Sequence, residues 1–193
     1  MLSTPVFSAP LLASSRPTAS DVSPLPTRLR LPDLLRIADQ GASDVLEGRF
    51  DHVLPADGRW PLDQRWSTRL HADDDLDVWL ISWVADASTE LHDHAGSLGA
   101  LTVLSGSLVE HRWAGQGLER RVLDAGDQAS FSLGWVHDVM RAPGPETALQ
   151  EPTLSVHAYS PPLTAMSYYE VTESSNLRRT RTELTDEPEG TSK

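Results

Sequence analysis

Three histidines carry the clearest chemistry in this chain. His92 and His94 stand two apart, so on a β-strand both imidazoles project from one face. Asp93 then points the other way and is set aside as a co-ligand. A metal held by two imidazoles needs at least a third ligand from elsewhere in the fold, and His137, in Gly134-Trp135-Val136-His137, is the natural candidate. The chain has no cysteine, which excludes disulfides, iron–sulfur clusters, thiolate zinc sites and cysteine nucleophiles. Any metal must therefore be held by imidazole and oxygen. A second alternating set is Ser155, His157 and Tyr159, which share one side of a predicted strand. Ser155 and His157 are not expected to form a hydrolase pair, because side chains at i and i+2 lie parallel rather than meeting as nucleophile and base.

The elements that must position these groups follow from pattern. Residues 1–30 are rich in Pro, Ser and Thr and are expected to be a disordered arm. From Leu31 the pattern changes: Pro32 suits a first helical turn, and Leu34, Leu35, Ile37 and Ala38 recur at helical spacing until Gly41. A second short helix is expected over residues 43–47, ending at Gly48, followed by a linker with Pro55, Gly58 and Pro61. Residues 66–169 then read as short strands between turns, among them 78–83, 100–104, 108–113, 120–123, 129–133 and 153–159. Many short strands between glycine turns predict a β-sandwich or barrel. Trp83 belongs to its core or to a pocket wall. Residues 173–193 are expected to be a polar, exposed C-terminal tail.

Composition narrows the function classes. A length of 193 residues suits one domain with a proper core. Hydrophobic residues at 39% and charged ones at 23% predict a soluble globular protein, and no apolar run approaches a membrane span. A net charge of −12 argues against nucleic acid or an anionic membrane surface as partner. The start, MLSTPVFSAPLLASS, lacks the basic region and unbroken apolar core of a secretory signal, so a cytoplasmic protein is expected.

Over about residues 86–141 the spacings resemble the two motifs of the cupin superfamily. His92-x-His94 is followed by four residues, Gly99 at the motif's acidic position, six more residues and Gly106. The second motif runs from Gly126 through Ser132, Leu133 and Gly134 to His137, with Arg141 where the superfamily has asparagine. Gly99 in place of the usual glutamate leaves three histidines, as in the thiol dioxygenases. The stretch Ser155-Val156-His157-Ala158-Tyr159-Ser160-Pro161-Pro162 resembles the S-x-H-x-Y-S-P-P segment of the cysteine dioxygenase family in particular. Arg69 lies near that family's carboxylate-binding arginine, with Arg65 a competing choice.

This resemblance implies a mainly β, cupin-type small β-barrel, jelly-roll-like, over residues 31–172 with short N-terminal helices packed outside. It implies mononuclear non-haem Fe(II) on His92, His94 and His137, and a monomer. It also implies L-cysteine and O2 as substrates and cysteine sulfinic acid as product. Three neutral imidazoles leave the ion its full +2 charge, which favours a substrate that brings its own thiolate. They also leave open positions for thiolate, amine and dioxygen. The same donors would also take zinc, nickel or copper. Ser155, His157 and Tyr159 take the family's catalytic positions, and Arg69 offers a charged fork to the substrate carboxylate. Gly99 stands where some family members carry a cysteine cross-linked to the tyrosine, so Tyr159 is expected to be unmodified. Two alternatives stay open. Relatives acting on 3-mercaptopropionate tend to have glutamine in place of the arginine, and a non-catalytic metal-binding cupin has no need of an ordered phenol.

Overall fold

The computed structural model describes residues 29–85, 87–144 and 152–188. Most of the expected N-terminal arm, residues 1–28, lies outside them. Among the described residues, one helix, α1 (Leu31–Leu46), precedes two single 3-10 turns and eleven strands. The strands are β1 (Trp66–Ala72), β2 (Asp77–Trp83), β3 (Leu91–Asp93), β4 (Leu98–Ser105), β5 (Ser107–Trp113) and β6 (Leu118–Asp124). They continue as β7 (Gln128–Phe131), β8 (His137–Arg141), β9 (Thr153–Ser160), β10 (Ala165–Val171) and β11 (Leu177–Leu184).

Two antiparallel sheets result, ordered β1-β2-β9-β4-β7 and β11-β10-β3-β8-β5-β6. The expectation of a mainly β, cupin-type fold holds, but the sheets face each other without closing into a barrel. Alternation along the first sheet explains its two faces. Val78, Leu80, Ala100, Leu154, Val156 and Ala158 turn outward to pack with Leu34, Ala38, Ala42 and Val45 of α1. Trp79, Ile81, Trp83, Leu101, Val103 and Tyr159 turn inward, into a cluster shared with Leu108, Leu123 and Val139 of the second sheet. Each large side chain so buried stabilises the fold by about 1.5–3 kcal/mol.

Two boundaries differ from the sequence expectation. The two short helices are one, because Gly41 does not end α1 but lets it lie close on the sheet. A Cβ at this position would stand 3.0 Å from the Val156 side chain. The apolar stripe Leu34, Ala38, Ala42, Val45 continues straight through it. Residues 173–193 are not simply a tail either, since β11 adds to the edge of β10 over Leu177–Leu184. Its side chains are almost all exposed, and this is why the segment resembled solvated chain. Among the described residues, no helix is long and apolar enough to cross a membrane.

Candidate metal centre

His92 lies on β3 and His94 one residue beyond its end. Across the ladder His92 pairs directly with His137 of β8. The three imidazoles are buried, with ring centroids 4.8–5.3 Å apart. One nitrogen from each lies within 4.8 Å of the others. Bonds of about 2.0–2.1 Å to a shared ion need only small side-chain movement from there. The sequence thus located a donor set that the tertiary structure does bring together.

Second contacts fix how two of the rings are presented. Glu90, in the left-handed region at φ 61°, aims its carbonyl at His92 Nδ1, 2.9 Å away. A carbonyl only accepts, so that nitrogen carries the proton and Nε2 keeps its lone pair for a metal. His137 Nδ1 lies 2.8 Å from Glu110 Oε1 on β5. The His137 Nε2 is buried and makes no hydrogen bond, as a ligand atom awaiting an ion would. Neutral nitrogen donors converging in a buried site fit a divalent transition metal. Asp93 turns away as expected, accepting from the Ala95 amide at 3.0 Å and the Tyr169 hydroxyl at 2.6 Å.

Local sequence pattern does not mark Glu110 as the partner of His137, 27 positions away. Burial would raise its carboxyl, but the hydrogen bond from His137 and the Arg121 guanidinium more than offset this and hold it down at about 2. It also touches Arg121 Nε. An acid directly after Leu108-Val109, within the expected strand 108–113, is the available signal. Behind it a cavity of about 380 Å³ is lined by Arg112, Arg121 and Trp135 among others, away from the converging histidine nitrogens.

Gly99 explains the missing fourth ligand. A Cβ there would lie 2.8 Å from Phe131 Cδ2 and 3.0 Å from Tyr159 Cε1. The space of a glutamate side chain is filled by those two rings. Phe131 also packs on His137 and His94, at centroid distances of 4.3 and 5.5 Å.

On the facing sheet, Ser155, His157 and Tyr159 are fully buried along β9. Contrary to expectation, neighbours two apart do meet. Ser155 Oγ lies 2.9 Å from His157 Nε2, and His157 Nδ1 lies 3.1 Å from the Tyr159 hydroxyl. Packing on the inner face tilts these long side chains along the strand instead of leaving them parallel. Trp83 Nε1 donates to Ser155 Oγ at 2.7 Å, so the serine faces core and not solvent. The Tyr159 ring is 5.0 Å from that of His94, which brings the chain to the histidine cluster.

The two arginines diverge. Arg69, opposite Trp79 on β1, stacks its guanidinium 4.4 Å from the Trp79 ring centroid. Trp79 in turn stands opposite His157. Arg69 Nη2 donates to the Asp186 carboxylate at 3.1 Å and the Asp186 carbonyl at 3.2 Å. Arg65 precedes β1, lies 4.6 Å from the Trp83 ring centroid and reaches the Ala87 carbonyl at 3.4 Å.

Two facing antiparallel sheets with three converging imidazoles define a cupin-type metal-binding protein. The chain belongs to the cysteine dioxygenase type I family, whose family model matches residues 59–172. It is thus a thiol-dioxygenase-like cupin of oxidoreductase type. No curated protein matches it. Among solved structures it is similar to the TT1209 protein of Thermus thermophilus at 18% identity and TM-score 0.44, covering 53% of this chain and 89% of that one. A double-stranded β-helix protein of unknown role from Klebsiella pneumoniae matches at 20% identity and TM-score 0.44, over 67% and 90% of the two chains. A cupin superfamily protein from Desulfitobacterium hafniense matches at 13% and 0.43, over 53% and 82%.

Proposed function

We propose that this chain is an iron-dependent cysteine dioxygenase. L-cysteine and O2 combine to give cysteine sulfinic acid, with both oxygen atoms ending on sulfur and no further co-substrate needed. The observation that carries this is the ordered phenol of Tyr159, held by His157 and packed on the metal-ligand candidate His94. A site that only stored metal would not need it. Iron(II) on His92, His94 and His137 would supply the open coordination positions at which a thiol and dioxygen meet, while sulfur gives up all four electrons that O2 takes.

The chain's own residues do the rest. The Glu90 carbonyl and Glu110 hold two of the imidazoles in one tautomer and orientation. Arg69 takes the substrate carboxylate as a charged fork, exchanging Asp186 for it. The Tyr159 hydroxyl offers a fixed hydrogen bond where charge develops. Trp79, Phe131 and Trp83 wall the space with apolar surface and exclude water. The protein acts as a cytoplasmic monomer on a small thiol.

An anaerobic titration of the iron-loaded protein with cysteine tests this. The visible spectrum should change and saturate at one cysteine per iron, and admitting O2 should then yield the sulfinic acid. No spectral change would sink the proposal. Kinetics of Arg69→Gln refine the substrate. Loss of a charge-assisted contact lowers kcat/KM for cysteine by at least about tenfold, with a smaller loss on 3-mercaptopropionate. If Arg65→Gln raises KM instead, the carboxylate fork is Arg65.

A further inference from the structure

The chain of buried polar groups on the inner face has a direction, and a residue outside the Ser155, His157, Tyr159 set determines it. Trp83 stands opposite Thr153 across the β2–β9 ladder, so its indole reaches Ser155 along a diagonal. Diagonal neighbours on a ladder are within reach of aromatic and other long side chains. The indole N–H is a donor with no acceptor function. At 2.7 Å from Ser155 Oγ it therefore assigns that oxygen as acceptor on this side. Ser155 is fully buried, and among the described residues its one other side-chain partner is His157 Nε2 at 2.9 Å. A buried hydroxyl proton left without an acceptor is costly, so it goes to His157 Nε2. His157 then carries its proton on Nδ1 and donates it to the Tyr159 oxygen at 3.1 Å. The phenol, already accepting from His157, turns its own proton to a different acceptor. Arg65 strengthens the first link, because a cation 4.6 Å from the indole centroid draws electron density from the ring and makes its N–H a better donor.

We propose that Trp83 is a positioning residue that fixes the direction of the chain Trp83–Ser155–His157–Tyr159, holding His157 in the Nδ1–H tautomer. The consequence for catalysis rests on the function proposed above, whereas the tautomer does not. With the direction reversed, His157 Nδ1 would accept from Tyr159, and the phenol proton would be occupied when a substrate needs it. Trp83 thus does for the tyrosine what Glu110 does for His137. Each selects one of two protonation patterns that an imidazole would otherwise exchange between.

The test is long-range ¹H–¹⁵N correlation on the full chain loaded with zinc, which keeps the sample diamagnetic. The His157 signals are assigned by comparison with His157→Gln. The parent protein should show His157 as one neutral tautomer with the proton on Nδ1. Trp83→Phe keeps the ring but removes the donor, and should give a mixture of tautomers or the Nε2–H form. In the iron-loaded protein the same variant should lose kcat by about tenfold while KM for cysteine stays within about twofold, since Arg69 stacks on Trp79 and not on Trp83. A parent His157 protonated on Nε2 overturns the proposal outright, without any variant. Retention of a pure Nδ1–H form in Trp83→Phe overturns the role of Trp83. Absence of dioxygenase activity in the parent would sink the proposed function and leave the tautomer result standing.

Discussion

The two sheets handle their buried polar groups differently. On the sheet of β3, β5 and β8, His92 and His137 are each held from behind by a group that only accepts and passes no proton on: the Glu90 carbonyl and the Glu110 carboxylate. Those contacts terminate, and they free the opposite nitrogen for a metal. On the sheet of β2 and β9, Trp83, Ser155, His157 and Tyr159 are joined end to end, so each proton position depends on the one before. At that sheet's edge Arg69 is held by Asp186, a residue from beyond the last strand. The lesson is one of rigidity against polarity. A metal site needs lone pairs held still, while a site that positions reactants needs donors held in one direction.

Removing a ligand should give the largest effect. His137→Ala loses most of the bound iron by metal analysis, and activity falls by about a thousandfold or more. Stoichiometric iron in that variant would break the comparison at its first half. Tyr159→Phe should come next. It keeps iron and still binds cysteine, but turnover falls by about a hundred- to a thousandfold, the range seen when a donor aimed at developing charge is lost. An unaltered rate would make the tyrosine structural.

Glu110→Gln separates the sheets more finely. An amide can still present an oxygen to His137, but without the charge. Metal affinity should drop by about 10–100-fold in a competition with a chelator, with the tautomer of His157 unchanged. A changed tautomer would mean that the sheets are coupled. The smallest effect belongs to Asp186→Asn. Exposed ion pairs contribute about 0.2–1 kcal/mol, so freeing Arg69 should lower KM for cysteine by no more than about fivefold. A rise in KM would show that Asp186 helps to orient the arginine instead of competing for it.

Period-two alternation is a local property, and it placed His92 beside His94 and aligned Ser155, His157 and Tyr159 before any fold was known. His137 followed from motif spacing. The limits of local pattern show at Gly41, which has the composition of a helix end. Close packing on Val156 rather than local propensity decides its role. They show again at β11, where pairing with β10 orders a segment whose exposed side chains resemble unstructured chain.

The sequence by itself determined the donor chemistry. Without cysteine no thiolate is available, and with glycine at position 99 the motif's usual carboxylate is missing, which leaves its histidines as the candidate donors. The tertiary structure alone decided what holds those donors and gives the polar chain its direction. Glu110 meets His137 across 27 positions, Trp83 meets Ser155 across 72, and Asp186 meets Arg69 across 117. Contacts at such separations leave no periodic trace, because sheet order and register choose the partners, and these are set by the burial of whole faces rather than by neighbouring residues.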